Sequence, residues 1–82
     1  MNIKARIYIT LKSTVSDPQG MTVKGGLHQL GFTNVNDVRI GKFIELEVTA
    51  ESVEMAEMEV TDMCDKLLAN MIIEEYTFEL ES

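Results

Sequence analysis

The first twelve residues constrain the fold more than any other stretch. Ile3, Ala5, Ile7, Ile9 and Leu11 alternate with Lys4, Arg6, Tyr8, Thr10 and Lys12. A period of two, with one apolar and one charged side, marks a strand in a sheet covered on one face only. In a chain of 82 residues such a strand dictates much of the rest. The remaining segments must supply its neighbours and the helices that cover its apolar face.

The chain meets that demand in order. Ser16-Asp17-Pro18 offers a side-chain cap and a proline at the first helical position, and Gly31 offers a C-terminal stop. The helix predicted between them has the stripe Val23, Gly26, Leu27 and Leu30. Two adjacent glycines, Gly25 and Gly26, stand in its interior, where each costs about 1 kcal/mol relative to alanine. Gly26 lies on the stripe, which implies a helix backbone seated tightly on the sheet. Gly25 would then face something else, a partner chain.

Val38 and Ile40 alternate with Asp37 and Arg39, and Gly41-Lys42 reads as a tight turn into Phe43 to Thr49. That pattern predicts a hairpin. Thr49 to Ser52 caps a second helix running to about Ala69, with the stripe Val53, Ala56, Val60, Met63, Cys64 and Leu67. Asn70 is its C-cap, and Ile72 to Glu81 alternates again.

The order is β-α-β-β-α-β in one domain spanning residues 1–82. It predicts an α+β fold: a four-stranded antiparallel sheet with two helices on one face, in the ferredoxin-like arrangement. The first strand then lies between the third and the fourth. The charges agree, since Lys4, Arg6 and Lys12 would face Glu45 and Glu47 on one side and Glu75, Glu79 and Glu81 on the other. The last strand lies at an edge, open to pairing or exchange between subunits.

Composition narrows the function. Seven basic residues against fourteen acidic give a formal charge of −7. Nucleic acid and anionic membranes both call for a basic face, so neither is expected as a partner. No apolar run is long enough to span a membrane, and the N-terminus lacks the shape of a signal peptide, so a cytoplasmic protein is expected. Cys64 is the single cysteine and His28 the single histidine, which leaves no internal disulfide and no metal set. His28 has neither a nucleophile nor a paired carboxylate at readable spacing. There is no phosphate-binding G-x-x-x-x-G-K-[ST] loop and no G-x-S-x-G elbow. The chain reads as a binding or assembly module. Asp17-Pro18-Gln19-Gly20 is either a plain helix start or a site for an anion or a partner. Arg39-Ile40-Gly41-Lys42 is either a solvated turn or a basic contact for an acidic partner.

Three stretches together carry a resemblance: YITLKSTVSDPQG, LHQLGFTNVNDVRIGKFIELEV and MCDKLLANMIIEEYTFEL. In order and spacing they resemble the PurS family, the small subunits of phosphoribosylformylglycinamidine synthase. The resemblance implies a subunit with no active site and no cofactor of its own. It would join a synthetase subunit and a glutaminase subunit in a complex that uses ATP with magnesium and glutamine, and would help ammonia pass between their sites. It also implies a homo-oligomer, a dimer or a tetramer. The family's D-P-x-G falls on Asp17, Pro18 and Gly20, its R-x-G-K on Arg39, Gly41 and Lys42, and its C-x-x-L-L-x-N on Cys64, Leu67, Leu68 and Asn70. Of these, Asp17, Pro18, Gly20, Arg39, Gly41, Lys42 and Asn70 are the candidate partner contacts. Met71 stands where the family commonly has proline. A small-molecule-sensing domain of the ACT type shares the same element order, and fold alone does not separate the two.

Overall fold

A computed structural model describes all residues, 1–82. The elements are β1 (Asn2–Leu11), α1 (Pro18–Gln29), β2 (Gly41–Thr49), α2 (Val53–Met63), a π-helical turn (Cys64–Leu68) and β3 (Glu74–Glu81). The sheet is antiparallel, in the order β2-β1-β3. No helix is long and apolar enough to cross a membrane.

β1 is central, as its pattern requires. Ile3, Ala5, Ile7 and Ile9 are almost wholly buried, and α2 covers them with Ala56 and Val60, continued by Cys64 in the π-helical turn. These α2 residues recur every four positions, one narrow stripe of the helix. Burial pushes the Cys64 thiol up from its ordinary value, and Asp65 adds to the shift. On the opposite face Lys4 pairs with Glu47 and Glu81, and Arg6 with Glu45 and Glu79. Arg6 makes ion pairs of 3.3 Å to Glu45 and 2.7 Å to Glu81.

The sheet has three strands, not the four expected. Gly41-Lys42 is no turn: Gly41 pairs with Thr10 and Lys42 with Ile9, so both belong to β2. Val38 to Ile40 form no strand, because their polar groups are engaged elsewhere. The Ile40 N–H donates to Asp17, the Val38 N–H to Asp37, and the Arg39 side chain to loop carbonyls. β3 begins at Glu74, two residues later than the alternation suggests.

The two helices also differ from expectation. α1 has the predicted ends: Asp17 caps it, Pro18 occupies the first turn, and Gly31 follows with φ of 101°. Yet no α1 residue belongs to either hydrophobic cluster, and Leu30 is 74% exposed. A Cβ on Gly25 or Gly26 would meet nothing within 4 Å. Gly26 therefore does not seat the helix on the sheet. The stripe of α1 is too short and too interrupted to drive that docking within one chain.

Leu67, expected in the core, is 83% exposed. The π-helical turn is the reason. The Ala69 N–H donates to the Cys64 carbonyl at 3.0 Å, a span of five residues. The wider turn carries Leu67 past the covered face and brings Leu68 against the core instead.

Replacing Gly26 with alanine should therefore stabilise the fold by up to about 1 kcal/mol through helix propensity. Denaturant unfolding measures this. A loss of stability would mean that a surface packs on Gly26 in the assembled protein.

Candidate functional site

Three loops meet at one end of the sheet, and Asp17 joins two of them. Its side chain is 5% exposed. One carboxylate oxygen accepts from the Gly20 N–H at 2.9 Å, which caps α1; the other accepts from the Ile40 N–H at 2.8 Å, which ties in the approach to β2. Arg39 lies 4.0 Å from the same carboxylate. The Ile40 and Gly20 N–H groups, with Arg39 behind them, hold the Asp17 carboxyl below its ordinary pKa.

Glycine is required at two places here. A Cβ on Gly20 would collide with the Val38 carbonyl oxygen, and one on Gly41 would come within 2.5 Å of the Ile9 carbonyl oxygen. Arg39 is exposed, and its side chain donates to the carbonyls of Lys12 at 3.0 Å and Val15 at 3.1 Å. It binds the first loop to the second.

The third loop joins through Lys42 and Glu74. Their side chains lie 3.5 Å apart, and that of Glu74 is only 15% exposed. Glu74 also accepts from the Asn70 N–H at 2.7 Å, while the Asn70 side chain accepts from the Ile72 N–H at 3.1 Å. Lys12 closes the circuit, donating its N–H to the Ile73 carbonyl at 2.8 Å.

An open cleft of about 490 Å³ lies between the loops. Asp17, Pro18, Gly41 and Lys42 line it, with Ile9 and Leu11 as an apolar floor. Gly20, Arg39 and Asn70 do not line it but contact residues that do: Gly20 and Arg39 contact Asp17, and Asn70 contacts Glu74. The structure thus brings the three motif sets together. Glu74, the partner of Lys42, was missed; its place in an alternating strand gave no sign of an ion pair across the sheet end. His28 lies away from the cleft, its Nε2 donating to the Val35 carbonyl at 2.8 Å. No group of three His, Cys, Asp or Glu side chains is placed to hold a metal ion. Chemically the cleft is a set of clamps: a capped helix end, a buried carboxylate and one ion pair.

Comparison with known proteins places this arrangement. Residues 4–82 match the family model described as PurS, phosphoribosylformylglycinamidine (FGAM) synthase. The chain belongs to the PurS family. It is therefore a subunit of FGAM synthase, a ligase of purine biosynthesis. The PurS subunit of Synechocystis is 51% identical over 75 residues, covering 92% of this chain and 75% of that one. The Bacillus subtilis PurS subunit is 44% identical over 78 residues, covering 95% and 92%. Among solved structures, the PurLQS structure from Thermotoga maritima holds a chain that matches with a TM-score of 0.91 at 36% identity, covering 99% of both chains. The three-loop junction is thus part of a PurS fold that persists at modest identity.

The depressed Asp17 pKa has a definite sign. A carboxylate held below its ordinary value of 3.8 stabilises the fold above that pH, and the contribution is lost as pH falls through the lower folded value. Asp17→Asn should lower the melting temperature at neutral pH, because an amide cannot accept both N–H groups. The gap from the native chain should narrow as pH drops below 3.8. Thermal melts across pH check this; a gap independent of pH would show that the charge of Asp17 contributes nothing.

Proposed function

We propose that this chain is the small subunit that bridges the synthetase and glutaminase subunits of FGAM synthase and aids ammonia transfer between their sites. The observation that carries the reading is the match over 99% of both chains to a chain of the Thermotoga maritima PurLQS structure. The chain itself turns nothing over and binds no cofactor. ATP, magnesium and glutamine are used by its companions, in the cytoplasm. The cleft supports this reading, since its charged groups are already engaged by one another and by backbone N–H groups.

The test is reconstitution with both companion subunits. Omitting the chain should abolish glutamine-dependent synthesis of the amidine and spare more of the synthesis from high external ammonia, which needs no coupling between sites. Full glutamine-dependent activity without the chain would refute the proposal.

The chain functions as a homo-oligomer, a dimer or a tetramer. Its surface supports this. The radius of gyration is 16.3 Å, against about 12 Å for a compact domain of this length. The accessible surface is 5834 Å², against about 4,900 Å² for a folded monomer of this mass. Two apolar surfaces contribute to it: the α1 stripe, which joins no core cluster, and Ile44, Leu46 and Val48 on β2, which are only half-buried. Each copy carries both, so copies can cover one another reciprocally. Light scattering on dilute protein should give a mass at least twice that of one chain; a monomer at micromolar concentration contradicts it.

A further inference from the structure

A third apolar surface stands apart from those two. Leu67 is 83% exposed and Ile72 is 82% exposed, and Met71 beside it is also exposed. Their display is built in. The π-helical turn moves Leu67 off the core face, where an unbroken α-helix would place it beside Val60 and Cys64. The Asn70 side chain, accepting from the Ile72 N–H, shapes the turn that carries Ile72. Exposing two large aliphatic side chains fully, within six residues of each other, has a cost that the isolated chain does not recover.

The charge around this surface decides what can cover it. On the helical side of this surface Lys66 is the only base, beside Glu59, Asp62 and Asp65; on the strand side Lys42 is already paired with Glu74 at 3.5 Å. Lys66 is itself tied to Asp62 at 2.9 Å. Glu59, Asp62 and Asp65, on the helical turns leading to Leu67, are all exposed. In a two-fold contact a second copy would bring the same carboxylates against these. We infer that the Leu67–Ile72 surface docks a different chain, a companion subunit of the synthase that offers an apolar centre rimmed by lysine or arginine. This rests on the subunit reading above and assigns it a place on the molecule.

The experiment measures binding of this chain to its synthetase and glutaminase companions, alongside melting temperature and homo-oligomer mass. Leu67→Ser with Ile72→Ser should bind the companions about tenfold more weakly or worse. Its melting temperature and homo-oligomer mass should match those of the native chain, because both side chains are exposed. Glu59→Lys should weaken binding while leaving the core untouched. Added salt should weaken native binding, and weaken the Glu59→Lys variant's binding less. Native affinity in the double variant would overturn the surface while leaving the subunit reading intact. Loss of homo-oligomer mass would overturn it too, by giving the surface to a second copy. If the native chain binds neither companion, the subunit reading itself falls.

Discussion

Everything in this fold hangs on the burial of one face of β1 under one stripe of α2. Ile3, Ala5, Ile7 and Ile9 meet Ala56, Val60 and Cys64, and few other side chains are as fully enclosed. Each fully buried isoleucine or valine contributes about 1.5–3 kcal/mol. The other elements are placed relative to that seam. β2 and β3 flank β1 on either side, and the Arg6 ion pairs with Glu45 and Glu81 help hold their register. α1 does not share the seam, so it is held at its start by Asp17 and near its end by the His28 bond to Val35.

What was legible in the sequence follows from this hierarchy. β1, α2, the α1 cap at Asp17 and the central place of β1 could be read because each depends on local pattern or on charge facing charge. The supposed hairpin at Arg39 to Lys42 could not. Its alternation is real, but a buried carboxylate distant in sequence takes the Ile40 N–H, and that competitor is invisible to periodicity. Gly41 carries a turn residue's signature for another reason: it lies against the Ile9 carbonyl. The same residue type answers to close approach as readily as to a turn.

The candidate site was read in part. Asp17, Pro18, Gly20, Arg39, Gly41, Lys42 and Asn70 do come together, although they come from three separate segments. The structure adds internal bonds that their chemistry did not announce. Arg39 looked like a free cation and also tethers two loops, because a guanidinium at the mouth of a loop satisfies two carbonyls at once. Glu74 had no local signature at all. Its bond to the Asn70 N–H is local, but its ion pair with Lys42 arises only because β1 brings the starts of β2 and β3 to the same end of the sheet.

The departures at α1 and at Leu67 share one cause. A pattern of apolar residues states that a face will be covered, and not by which chain. The α1 stripe was assigned to the chain's own sheet, and Leu67 to its own core, because a single sequence offers no other partner. In a chain of 82 residues with one buried seam, both assignments ask too much of one core. The molecule instead divides its apolar surface. One part closes the seam and folds the chain. The α1 and β2 faces are the ones proposed above for an identical neighbour. The Leu67–Ile72 surface, set among carboxylates that repel their own copies, suits a neighbour of opposite charge. If copies pair through the first faces as proposed, a subunit gains from keeping the two surfaces chemically distinct, since neither partner then competes for the other's site.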